Sequence, residues 1–295
     1  MQVLSYINIM IKELLNDLDK NIKEENYEKV IEIIDSIISL NTDLATPLLL
    51  KKSEALIELE EYEKAIDLLN KYLNECEDCK EFDAYTDLAE CYSRLDDREN
   101  EEKYLLKAYE IEPDDYYTMK KLVFHYFLCE KHEKCIDFVE KLIEKGKADL
   151  EDYSNLVYSH INLGNIDEAI RYGEEIVKLD PSYVDMYVTL TISYELAEDF
   201  EKLNETHKKI IELEDDGTEQ LTLLKAQSYL ALGREKEAFD TVDKVIKATP
   251  YNPFGYIMKG MLYQNLKRNN EAMECFEEAY KLEPEILEMM IEKMK

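Results

Sequence analysis

The chain has 295 residues, with 67 Asp and Glu against 36 Lys and Arg, a net charge of −31. A polyanion of that size repels nucleic acid and anionic lipid, whose recognition depends on basic side chains neutralising phosphates, so neither is expected as a partner. Disorder, the other usual meaning of heavy charge, is opposed by a 45% hydrophobic content and 22 tyrosines, ample material for a core.

Only 7 Gly and 6 Pro interrupt the chain, and β-branched alternating runs bounded by turn clusters do not occur. An all-α protein with short connections is therefore predicted. At the N-terminus, "MQVLSYINIMIKELLNDLDK" lacks a basic start and a small-residue cleavage site, and Lys12, Glu13 and Asp17 break its apolar run. It is read as neither signal peptide nor membrane span, with residues 1–10 extending the first helix. The cysteines at 76, 79, 91, 129, 135 and 275 follow no disulfide framework. Reduced thiols and a cytoplasmic location are the expectation.

From there one amphipathic phrase recurs along the chain. "YEKVIEIIDSIISL" is followed by "YEKAIDLLNKYLNE", "ENEEKYLLKAYEIEP", "HEKCIDFVEKLIEKG" and further versions up to "NNEAMECFEEAYKLEP". Aligning them places Val30, Ala65, Glu101, Cys135, Ala169, Leu203, Ala238 and Ala272 at one position, separated by 34 to 36 residues. Such a period marks a stacked array of helix pairs. The register predicts eight units, at 11–44, 46–79, 82–115, 116–149, 150–183, 184–218, 219–252 and 253–286, with 287–295 ("LEMMIEKMK") as a short C-terminal capping helix. Pro113, Pro181, Pro250 and Pro284 all fall at the thirty-second position of a unit, where proline ends one helix and turns the chain.

Within the units the matches are Tyr85, Ala89, Tyr92, Ala108 and Pro113; Tyr153, Leu156, Gly164, Ala169 and Pro181; and Tyr256, Gly260, Tyr263, Ala272, Phe276, Ala279 and Pro284. This pattern resembles the tetratricopeptide-repeat (TPR) family along nearly the whole chain. The resemblance implies an all-α, right-handed superhelical solenoid of about eight helix hairpins, with small residues where the two helices of a unit approach. One position departs: Glu101 stands in a slot normally filled by alanine. Either its helix shifts by a residue, or its stem packs while the carboxylate escapes to solvent.

The same resemblance implies a concave groove lined by the first helix of each unit. The positions that would bind a partner are Tyr117, Lys120, Phe124, Phe127, Asn155, Tyr158, Val188, Ile192, Leu223, Ile257 and Met261, with Glu54, Asp83 and Glu90 forming an acidic steering end. Lys120 and Asn155 also fit two places of the Lys/Asn clamp by which some TPR co-chaperones hold a carboxylate, but Phe124 and Asp185 leave it incomplete. Aromatic and methionine-rich surfaces suit burial of a partner peptide or helix, and the acids would favour a partner with basic character. The alternative is that these side chains pack within the array.

For chemistry, the sequence offers little. His125, Cys129, His132 and Cys135 have a zinc-like composition, but the register splits them across a helix turn. The lone "CEDC" at 76–79 is flanked by acids, which raise thiol pKa values. Phosphate-binding glycine loops and known hydrolase or protease motifs are missing. No catalytic residue, metal or cofactor is therefore assigned. The function read from the sequence is a non-enzymatic scaffold that binds a protein or peptide in its groove. A self-assembling structural protein is the alternative, and a zinc-binding or enzymatic variant is the less favoured one.

Overall fold

The computed structural model describes residues 2–41, 45–75, 81–214 and 217–285, and among these residues sixteen α-helices and no strand occur. The chain divides into two compact units, Met1–Ala148 and Asp149–Lys295. The first holds α1 (Gln2–Lys23), α2 (Tyr27–Leu40), α3 (Ala45–Glu58), α4 (Tyr62–Glu75), α5 (Glu81–Arg94), α6 (Arg98–Ile111), α7 (Tyr116–Leu128) and α8 (His132–Glu144). The second holds α9 (Leu150–Asn162), α10 (Ile166–Leu179), α11 (Val184–Leu196), α12 (Phe200–Glu212), α13 (Glu219–Ala231), α14 (Glu235–Ala248), α15 (Pro253–Asn265) and α16 (Asn269–Leu282). Within each unit consecutive helices pack on one another, and first helices of successive pairs also touch: α3 with α5, α9 with α11, α11 with α13 and α13 with α15. The predicted all-α array of stacked hairpins is thus the fold. The capping helix assigned to 287–295 and the "CEDC" stretch lie outside the described residues.

Each pair turns on one residue in the left-handed region. Glu25, Glu60, Asp96, Glu130, Gly164, Glu198, Gly233 and Lys267 have φ between 53° and 75°. In every case the next residue's N–H reaches back to a carbonyl five residues earlier, as in Lys131 to Tyr126 (2.9 Å) and Asn165 to His160 (2.8 Å). This closes the last turn of the first helix and satisfies carbonyls that would otherwise be orphaned. Six of the eight positions carry a side chain where glycine is the unstrained choice.

The second helix then starts in an invariant register. Val30, Ala65, Glu101, Cys135, Ala169, Leu203, Ala238 and Ala272 each donate their N–H to the residue just before that helix, at 3.0 or 3.1 Å. Most are small and fully buried, because the two helices meet there. At α15 the facing residue is Gly260, where an added Cβ would stand 2.5 Å from the Phe276 ring.

Glu101 corrects both sequence expectations. Its helix is not shifted, since its N–H bonds to Asp97 as in the other units, and its carboxylate does not escape, since the residue is only 5% exposed. Fully buried His125 comes in from α7 and donates from Nδ1 to Glu101 Oε2 at 2.9 Å, and Arg98 Nη1 donates to the same oxygen at 2.9 Å. Burial pushes the Glu101 carboxyl up, but hydrogen bonds from His125, Ser93 and Arg98 outweigh it and hold the group below its usual range. Neighbouring Glu102 is likewise pushed up by burial yet drawn down to about 2 by Lys131 and Lys134.

Glu198 is exposed and stands at φ 55°. Glu198→Gly is expected to raise stability by about 0.5–1 kcal/mol in chemical denaturation, because glycine relieves the left-handed strain at a helix C-terminus. An unchanged or lowered stability would contradict that reading of the turn.

Candidate partner-binding surfaces

In the first unit the side chains on α7 divide between interior and surface. Met119, Leu122, Val123 and Tyr126 are buried, which leaves three large apolar residues on the outer face. These are Tyr117 (74% exposed), Phe124 (49%) and Leu128, spaced at seven and eleven residues along one side of the helix. Phe124 borders a cavity of about 330 Å³ between α5, α6 and α7, walled by Ala89, Ser93, Leu105 and Lys121. Phe127 and Lys120 are partly covered.

A second cavity of about 420 Å³ opens beside it, lined by Glu58 of α3, Tyr62 of α4, Asp87, Glu90 and Arg94 of α5, and Lys121 of α7. Arg94 Nε and Lys121 Nζ both donate to Glu90, at 2.8 and 2.9 Å. Burial raises the Glu90 carboxyl, but those two bases outweigh it and lower it overall. Asp87 has no such help: its Oδ2 shows less than 1 Å² to solvent and has no hydrogen-bond partner. Burial first, then the charges of Glu54 and Asp83, push Asp87 up to about 7, with Lys121 opposing and Glu90 adding to the rise. Glu54 is exposed and Asp83 partly so, and both thus act on this carboxylate.

In the second unit Tyr158 on α9, Ile192 and Leu196 on α11 and Phe254 on α15 are exposed. Val188 is half-buried against Tyr187, Ile210 and Leu224, and Leu223 packs on the cluster of Ala226, Ala238, Val242, Met258 and Leu262. Met261 is partly covered. Two sequence assignments need correction. Ile257 is 3% exposed, because α13, α14 and α16 all pack on α15, and Asn155 is buried in α9. Neither presents a surface for capture. A cavity of about 210 Å³ between α10, α11 and α12 was not anticipated; its wall includes Glu174, which accepts from Tyr194 Oη (2.8 Å) and Lys202 Nζ (2.7 Å).

Among the described residues no three His, Cys, Asp or Glu side chains are gathered in a way that would hold a metal. His125 is engaged by Glu101 and lies 3.6 Å from Cys129 Sγ, while Cys135 fills the buried small-residue slot. Cys91 is buried, and burial followed by Asp87 and Glu90 pushes its thiol up to about 12, far from a reactive thiolate at neutral pH. No helix of the described residues is long and apolar enough to cross a membrane.

The missed residue is Asp87. Its sequence signal was available: Asp83, Asp87 and Glu90 stand at four- and three-residue steps on one helix face, like charges that repel one another.

The tetratricopeptide-repeat sequence profile matches residues 82–115, 153–183 and 255–286. The BBSome complex member BBS4 of Bos taurus is 26% identical over 147 residues, half of this chain and 28% of the relative. The Hsp70-Hsp90 organizing protein 3 of Arabidopsis thaliana is 21% identical over 193 residues, 62% of this chain and 33% of the relative. The chain thus spans a third or less of the length of these curated relatives. Among solved structures, a tetratricopeptide repeat protein from Parabacteroides merdae ATCC 43184 superposes with a TM-score of 0.54 at 13% identity, over 91% of this chain and 98% of the other.

Asp87 makes stability depend on pH with a definite sign. Its carboxyl rises from 3.8 to about 7 on folding, so between those values the folded state holds a proton that the unfolded state has lost. The stabilisation is complete below the unfolded value and is lost as pH rises through the folded value. Asp87→Asn is therefore expected to raise stability at pH 8, by on the order of 2–4 kcal/mol, and to change it little near pH 4. Urea unfolding at the two pH values measures the difference; equal effects at both would contradict it.

Proposed function

The chain belongs to the tetratricopeptide-repeat family, and from that premise we propose that it is a non-enzymatic scaffold capturing a peptide or helix of a partner protein on the first helices of its hairpins. The observation that carries the reading is Phe124, half exposed beside a cavity of about 330 Å³, with Tyr117 and Leu128 on the same side of α7. Large apolar groups that the core does not use, set beside a concavity, suit an apolar anchor from a partner. In the second unit Tyr158, Ile192 and Phe254 offer comparable exposed groups. The acids of the first unit would draw a partner that is also basic, by a field that weakens with salt. One relative is by name an organizing protein for Hsp70 and Hsp90, in keeping with an adaptor role. Cys91, Cys129 and Cys275 form no disulfide, in keeping with a reducing compartment such as the cytoplasm.

Self-assembly is a second reading, favoured by Leu179, Tyr251 and Met273, which are strongly exposed and lie off the proposed capture faces. Light scattering on the purified chain decides it: a monomer across the micromolar range removes this reading.

Partner capture is tested by selecting binders from a displayed random-peptide library on the full chain and measuring their affinities. Phe124→Ala, at an exposed position that leaves helicity intact, is expected to weaken the selected peptides about tenfold or more. Ile192→Ala should do the same for peptides that bind the second unit. Peptides indifferent to both substitutions would overturn the assignment.

A further inference from the structure

We propose that the apolar cavity between α2, α3 and α4 is a site for one aromatic side chain, a tyrosine, of a partner protein. The cavity shares no residue with the capture faces described above, so it is a separate point of contact.

The repeat itself supplies the template. The eleventh residue of a unit is tyrosine in five of the eight units, at Tyr92, Tyr126, Tyr194, Tyr229 and Tyr263. Four of these rings carry a base from the start of the unit's second helix. Lys134 lies 5.0 Å from the Tyr126 centroid, Lys202 5.5 Å from Tyr194, Arg234 4.7 Å from Tyr229 and Arg268 4.7 Å from Tyr263. Each base is paired at the same time with a glutamate: Lys134 with Glu102, Lys202 with Glu174, Arg234 with Glu237 and Arg268 with Glu271.

In unit 46–79 the ring is missing and the rest of the arrangement is present. Leu56 stands at the eleventh position, and Lys64 holds the same place in its unit as Lys134 and Lys202. Lys64 is paired with Glu61 at 2.6 Å and lines the cavity. The space follows the exchange of tyrosine for leucine. At the matching place between α10, α11 and α12, where Tyr194 is present, the cavity measures about 210 Å³; between α2, α3 and α4 it measures about 450 Å³.

The walls suit a ring. Ile31, Leu56, Leu59 and Leu68 are apolar, and an aromatic side chain among them would turn its electron-rich face to Lys64. Glu28 also lines the cavity and can accept from a phenol O–H, as Glu174 accepts from Tyr194 at 2.8 Å. An aliphatic anchor would use the walls and leave Lys64 idle. A charged anchor of either sign would lose its hydration against four apolar side chains.

The test uses N-acetyl-tyrosine amide and its saturated counterpart N-acetyl-cyclohexylalanine amide. Each is titrated into the full chain while the methyl resonances of Ile31, Leu56, Leu59 and Leu68 are followed by NMR. The tyrosine compound should saturate, shift these methyls and bind about threefold more tightly than the more apolar cyclohexyl compound. Lys64→Gln should remove that preference, and Leu56→Tyr should abolish binding by filling the cavity with the chain's own ring. Lys64 is exposed, so Lys64→Gln decides the matter if Leu56→Tyr fails to fold. The inference is overturned if the tyrosine compound does not saturate, if the cyclohexyl compound binds equally well, or if either folded variant behaves like the parent chain. Saturation by 4-methylphenol but not by N-acetyl-tyrosine amide would restrict the cavity to a free phenol and overturn it as well. A dimer of the parent chain that Leu56→Tyr abolishes, seen by light scattering, would give the cavity to a second copy instead.

Discussion

Close approach of two helices at one fixed slot per hairpin is the constraint on which the structure depends. The left-handed turn residue and the back-bonded N–H after it set the entry of the second helix, and a buried residue at its fourth position sets the distance. A helix pair of this length cannot cover its own apolar surface, so stability comes from repeating the contact with neighbours. Glu101 shows how firmly the register is held. A carboxylate placed in the slot does not move the helix; instead His125 and Arg98 are drawn into hydrogen bonds around it. A buried ionic cluster of this kind adds little net stability over an apolar slot, but removing one member would leave the others unpaired.

The same constraint explains why functional groups are found on the first helices. The second helix uses one face against its partner and another against the next pair, whereas α7 retains a side on which Tyr117, Phe124 and Leu128 stay exposed among the described residues. Most ion pairs of this strongly acidic chain lie on solvated faces, where they contribute little to stability. The few that are shielded, around Glu90, Glu101 and Glu102, are where charge shapes the surface.

Much of the fold was legible because the repeat is written in residue size. Ala65, Ala169, Ala238 and Ala272 announce the slot, and tyrosines and prolines mark the ends of units. Side-chain fate at a given slot was less legible. Glu101 could be located but not its partner, because His125 belongs to the following helix pair and periodicity carries no information on which polar groups meet. Ile257 and Asn155 stand on first helices like Tyr158 and Ile192, yet they are buried, since exposure depends on how closely the neighbouring helices cover each site. Six left-handed turns without glycine were hidden for a related reason: the packed hairpin imposes the conformation on glutamate, aspartate or lysine.

Asp87 and Glu90 make the general point about charge in this molecule. They lie three residues apart on α5 and face the same cavity, and burial acts on both in the same direction. Their carboxyls nevertheless move oppositely, because Arg94 and Lys121 are both oriented toward Glu90. A net charge of −31 says that cations are attracted to the chain at long range. Which carboxylate is held ionised is decided by which one the local donors reach, and that depends on side-chain direction on one helix rather than on the count of acids.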